Sequence, residues 1–158
     1  MAELARTALG ELSGERGGVV FLGREARREP IEVSLKAAVA DEPDSVHRAW
    51  VGTVDDVVVG YLVARVEDLA DGRRLGVVED VFVEEQARGI GIGEALMDPA
   101  IGWFVSLGCF GADAVALPGM RATKNFFETF GFTARLLVVH RRFHAFDPVD
   151  ADADDAPA

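Results

Sequence analysis

The chain has 158 residues, a formal net charge of −11 and one cysteine, Cys109. That length suits one domain that buries most of its apolar surface, and a lone cysteine excludes an internal disulfide framework. A charged-then-apolar leader and a long apolar run are both missing, so the expected location is cytoplasmic, with no membrane span. Five aspartates and no base fall in residues 147–158, leaving −6 for the remainder. This tail is too poor in apolar residues to fold and is predicted to be disordered, with residues 1–146 forming the single domain. The acidic balance argues against a nucleic-acid partner; it suits a cationic substrate such as an amine equally with a role in solubility alone.

Leu4, Ala5, Ala8, Leu9 and Leu12 recur at helical spacing, predicting a helix from Ala2 to Leu12 that Ser13-Gly14 and Gly17-Gly18 close. Pro30 suits the first turn of a second helix running to about Ala40. Strand patterns follow at His47–Thr53, Val57–Val66 and Leu75–Val83, joined by short turns around Asp55-Asp56 and Asp71-Gly72, which makes an antiparallel meander. The next helix opens near Glu94 and runs to about Leu107; Pro99 inside it removes the N–H that would reach the Ala95 carbonyl, so a kink is expected. Cys109 to Leu117 reads as a strand and Arg121 to Phe130 as a helix, which Gly131 ends in a left-handed conformation with Phe132 folded back. A last strand to about Phe143 completes the order ααβββαβαβ.

The most informative stretch lies between the third strand and the third helix, where Gln86-Ala87-Arg88-Gly89-Ile90-Gly91-Ile92-Gly93 forms a glycine nest. Glycines at alternate positions let successive backbone N–H groups turn toward an anion, and the following helix dipole adds to their pull. A phosphate-bearing cofactor is therefore expected. A P-loop would need Lys and then Ser or Thr after its last glycine, but Glu94 and Ala95 stand there. A dinucleotide fold would need an acid at the end of the next strand, and Asp113 sits at its wrong end.

Gln86-x-x-Gly89-x-Gly91 resembles the acyl-CoA pyrophosphate loop of the GNAT family of N-acetyltransferases. A second match, Asn125-Phe126-Phe127-Glu128-Thr129-Phe130-Gly131-Phe132, resembles that family's late helix and its exit. The resemblance spans roughly residues 47 to 143. It implies an α/β acyl-CoA N-acyltransferase fold, with a central mixed, mostly antiparallel sheet flanked by helices. It also implies acetyl-CoA as co-substrate, transfer of its acetyl group to a primary amine, and a small molecule or peptide as acceptor. Main-chain groups of Val81, Phe82 and Val83 would then pair with the pantetheine arm. Gln86, Arg88, Gly89, Ile90, Gly91, Ile92 and Gly93 would hold the pyrophosphate, with Asn125 and Phe127 completing the cofactor site. Members of the family usually open with a strand before the first helix. Here that strand is missing or displaced: a start placed too far downstream is the favoured reading, and Gly18-Val19-Val20-Phe21-Leu22 as its substitute is the alternative. Homodimers are common in the family, and the assembly of this chain stays open.

Acetyl transfer to an amine needs a base, an oxyanion donor and a proton for the leaving thiolate. An N–H of the third strand can serve the oxyanion. Glu79 and Asp80 are the candidate bases; strand alternation sends them to opposite faces, so one alone can meet the substrate, and Glu79 is ranked first. A charge pair with a neighbouring arginine is the competing reading for either. Where the family commonly carries a tyrosine acid, this chain has Phe127, and its one tyrosine, Tyr61, lies on an earlier strand. Water can protonate a thiolate of ordinary pKa at a cost of roughly 10² to 10⁴ in rate. His140, His144 and Cys109 read as surface or packing residues, and Trp50, Trp103, Phe126, Phe130 and Phe132 as core. The alternative function is a non-catalytic acyl-CoA-binding module, favoured by Phe127; a nucleotide-dependent oxidoreductase ranks third.

Overall fold

The computed structural model describes residues 1–39 and 46–143. Its elements, in chain order, are α1 (Ala2–Ser13), α2 (Gly18–Arg24), α3 (Ile31–Val39), β1 (His47–Val54), β2 (Val57–Asp68), β3 (Arg74–Val83), α4 (Ile92–Ser106), β4 (Cys109–Ala114) and α5 (Arg121–Thr129). The strands form one mixed sheet in the order β1-β2-β3-β4, antiparallel except for the parallel β3/β4 pair. The predicted meander is therefore present. Its first turn places Asp55 and Asp56 at φ 49° and 64°, the left-handed geometry that a two-residue hairpin loop needs and that Asp tolerates better than most residues.

β2 is apolar along almost its whole length because both of its faces are covered. Leu62, Ala64 and Val66 join Leu96, Met97, Ala100, Trp103 and Phe104 of α4 and Phe127 of α5 on one side. Tyr61 and Val63 join Leu4 and Ala5 of α1, Ile31, Leu35 and Ala38 of α3, and Phe82 on the other. Alternation along one strand thus feeds two cores. Burial on this scale contributes about 25 cal/mol per Å² of apolar area removed from water. Gly76 is glycine because a Cβ there would lie 2.5 Å from the Phe104 ring.

Two stretches differ from their predicted states. Gly18–Leu22 is helical, not a substitute first strand: Gly17 is left-handed at φ 87°, and Gly18 packs so close to the end of α1 that a Cβ would meet the Leu12 carbonyl. Among the described residues, no strand precedes β1. At the other end, 134–143 contains no strand, and Leu136, Leu137, Val138 and Val139 are 70% to 86% exposed. Branched and aliphatic residues form a strand only when they pair with a neighbour, and these do not add to the open outer edge of β4. β4 itself stops at Ala114 instead of Leu117, and α4 runs continuously through the exposed Pro99. Ala40, His144 and the acidic stretch 147–158 lie outside the described residues. Among the described residues, no helix is long and apolar enough to cross a membrane.

Candidate active site

The site is created where β3 and β4 part. Their parallel pairing begins at Arg74↔Cys109 and ends at Val78↔Ala114, while β3 stays paired with β2 as far as Gly60↔Val83. Beyond Val78 the β4-facing edge of β3 is left without its neighbour strand, a set of main-chain donors and acceptors that must find partners elsewhere. Val81 and Val83 are half-buried there, and Phe82 turns to the opposite core, 6.4 Å from the Tyr61 ring.

A bulge lies at the same point. Val63 pairs with Asp80 and Ala64 with Val78, which leaves Glu79 as an extra residue in β3. Before it, Gly76 and Val78 face α4; after it, Phe82 faces α1 and α3. The expected opposition of Glu79 and Asp80 is therefore cancelled. Both carboxylates reach one guanidinium, that of Arg27 from the α2–α3 loop. Arg27 Nε donates to Asp80 Oδ2 at 2.8 Å, its Nη2 donates to Glu79 Oε2 at 3.1 Å, and its Nη1 donates to the Ser34 carbonyl at 3.1 Å. Arg65 Nε lies 3.1 Å from the other Glu79 oxygen, Oε1. Both Glu79 oxygens are thus engaged, whereas Arg27 engages Asp80 through Oδ2, and among the described residues Oδ1 is left open.

The electrostatics separate the two acids further. Burial pushes the Asp80 carboxyl above its ordinary range against the pull of Arg27, and the charge of Glu79 pushes the same way. Burial lowers Arg27, but Asp80 and Glu79 together hold it above its usual value, so it stays a cation. Tyr61 is raised by burial and by the charge of Asp80, against Arg27, and keeps its proton.

These groups line a cavity of about 100 Å³. Tyr61, Val78, Glu79, Asp80 and Val81 come from the sheet; Ala5, Ala8, Leu9 and Leu12 come from α1, and Phe21 from α2. Val115, Leu117 and Met120 of the loop after β4, with Thr123 and Phe127 of α5, close it. Phe127 is 6% exposed and packs on Phe126 and Phe132 at 5.6 and 5.5 Å between ring centroids.

The glycine nest follows β3 directly in the chain. Gln86 lies in the short 3₁₀ turn Glu85–Ala87, and Arg88, Gly89 and Ile90 follow it on the surface. Gly89 and Gly91 stand at φ 77° and 93°, and a Cβ on either would meet nothing within 4 Å. The nest is therefore open, with room for a phosphate, and its glycines are required by backbone conformation. Ile92 and Gly93 begin α4; Gly93 has a different cause, since a Cβ there would sit 2.8 Å from Phe126 of α5. That close approach packs Phe126 of α5 against the start of α4, and Asn125 beside it in α5 is exposed. Arg88 is tied in two directions: its Nε donates to the Val83 carbonyl at 2.8 Å, and its Nη2 lies 3.0 Å from both carboxylate oxygens of Glu11 on α1.

Arg27 and Glu11 are the residues that the sequence did not reveal, and Tyr61, set aside there for lying on an earlier strand, is on the cavity. Arg27 carries no local signal because it sits among charged neighbours that read as a solvated surface, and Glu11 reads as the polar face of an amphipathic helix. Among the described residues, no group of three or more His, Cys, Asp or Glu side chains could hold a metal ion.

A profile of the Acetyltransferase (GNAT) family matches residues 20–132. Among curated proteins, no sequence matches the chain. Solved structures share the fold. The tetramutant of the BH1408 protein from Bacillus halodurans has a TM-score of 0.73 at 18% identity, covering 90% of this chain and 91% of that one. A ribosomal-protein-alanine N-acetyltransferase from Brucella melitensis biovar Abortus 2308 has a TM-score of 0.61 at 19% identity, covering 90% of each chain. An aminoglycoside acetyltransferase from an uncultured soil metagenomic sample has a TM-score of 0.61 at 16% identity, covering 90% and 91%.

Proposed function

The chain belongs to the GNAT acetyltransferase family, and we propose that it moves an acetyl group from acetyl-CoA to a primary amine by direct attack. The observation that carries this reading is the β3 edge left without its neighbour strand beyond Val78, with the Asp80 carboxylate on the cavity beside it and the open glycine nest following β3 in the chain.

The residues present fit acetyl-CoA. Gly89 to Gly93 and Arg88 bind the pyrophosphate with main-chain N–H groups and a guanidinium, and Gln86 and Asn125 flank it. Main-chain groups of Val81, Phe82 and Val83 hold the pantetheine amides, which aims the thioester into the gap beside Val78. Bound there, acetyl-CoA supplies an activated acyl group. An N–H of β3 beyond Val78 stabilises the developing oxyanion.

Asp80 takes the amine proton through Oδ1. Its raised carboxyl is better matched to that task than an ordinary aspartate, and Glu79, with both oxygens engaged, serves to hold Arg27. Phe127 has no proton to give and acts as a wall. Tyr61 is the phenol on the cavity, and with its proton firmly held it donates a hydrogen bond to the departing sulfur instead of transferring the proton outright.

Phe127 favours a second reading, an acyl-CoA-binding module without turnover. Release of free thiol from acetyl-CoA separates the two: the transferase reading expects release that depends on added amine. Tight acetyl-CoA binding with no release on any amine would leave the binding module.

A further inference from the structure

We propose that the acceptor is a primary monoamine carried on a compact apolar group, and that a second positive charge on the acceptor is selected against. This rests on the transferase reading of the same cavity. Three observations carry it.

The first is the wall chemistry. Apart from Tyr61 and Thr123, the side chains on the cavity are apolar or belong to the Arg27, Glu79, Asp80 cluster. The α1 wall, with Ala5, Ala8, Leu9 and Leu12, presents methyl and isobutyl groups where a polar acceptor would need partners. The second is the charge balance. Arg27 is 12% exposed at its side chain and already lies across both carboxylates, while Arg65 holds the remaining Glu79 oxygen. An incoming ammonium meets a resident cation and one open oxygen, Asp80 Oδ1. That favours the neutral, nucleophilic form of a single amine. A second ammonium on the same acceptor finds the other carboxylate on the cavity, Glu79, already held at both oxygens by Arg27 and Arg65, and is repelled by Arg27. The third is size: an apolar cavity of 150 Å³ takes a benzene, so about 100 Å³ suits a short alkyl group.

The test compares n-butylamine with putrescine, which have the same four-carbon chain and differ by the second amine, with kanamycin as a polycationic control. Thiol release from acetyl-CoA is measured with each, and acetyl-CoA affinity is titrated on the same preparation. The expected kcat/KM for n-butylamine is at least tenfold above that for putrescine and kanamycin. Leu9→Asp, which adds a carboxylate to the α1 wall, should narrow or invert that ratio; the wild-type comparison stands alone if this variant folds poorly. Preference for putrescine or kanamycin would overturn the proposal, and so would intact acetyl-CoA binding with no release on n-butylamine. Loss of acetyl-CoA binding itself would instead remove the transferase reading and this inference with it.

Discussion

Arg88 of the nest and Glu11 of α1 are joined by one guanidinium nitrogen lying 3.0 Å from each carboxylate oxygen, 77 residues apart in sequence. The pair ties the glycine nest to the helix that walls the cavity. Both side chains are about half exposed, so the bond contributes little to stability, on the order of 0 to 1 kcal/mol. Its effect on binding is larger, because a carboxylate beside the nest competes with a phosphate for Arg88. Glu11→Gln should tighten acetyl-CoA binding about two- to fivefold with an unchanged melting temperature, as titration calorimetry and thermal unfolding would register. Weaker binding would mean that Glu11 positions Arg88 instead of competing for it.

Gly91 stands at φ 93° with open space where a side chain would project. Gly91→Val therefore introduces strain of about 1 to 3 kcal/mol and fills the nest. Acetyl-CoA affinity should fall at least tenfold while the variant remains folded by circular dichroism. Unchanged affinity would remove the nest from the cofactor site.

A base works only when ionised, so activity should fall as pH drops through the pKa of Asp80. Because that pKa is raised, the acid limb of kcat/KM should lie above the roughly 3.9 of a free aspartate. Asp80→Asn should abolish the limb and lower turnover by about 10² to 10⁴. Glu79→Gln removes a like charge and should move the limb to lower pH, whereas Arg27→Met removes the opposing cation and should move it higher. Equal, small losses in the Asp80 and Glu79 variants would leave no side-chain base.

Tyr61 and Phe127 share the cavity, one with a hydroxyl and one without. Tyr61→Phe should lower kcat by about tenfold and leave KM for acetyl-CoA unchanged, the signature of an interaction made in the transition state. Phe127→Tyr in that background should restore part of the loss. No effect of either change on kcat would mean that water supplies the proton.

The nest, the meander and the late helix were legible because their signals are local ones: glycines at Gly89 and Gly91 mark left-handed positions, and a β-branched, apolar run bounded by turn residues marks Val57–Val66 as a strand, observed as Val57–Asp68. The bulge at Glu79 was not, since an extra residue in a strand leaves no side-chain signature, and it overturned the two-sided placement of Glu79 and Asp80. Arg27 sits within Arg24-Glu25-Ala26-Arg27-Arg28-Glu29, where nothing distinguishes the one cation that turns inward. Leu136 to Val139 have the residues of a strand, but strand formation depends on a partner edge that local sequence does not encode.

The most direct measurement is calorimetric titration of the protein with acetyl-CoA, with NADH and ATP as controls. Saturable one-site binding of acetyl-CoA, lost in Gly91→Val and absent for NADH and ATP, is the predicted result. Failure to bind acetyl-CoA, or tighter binding of NADH or ATP, would contradict the assignment of the nest and the β3 edge to an acyl-CoA.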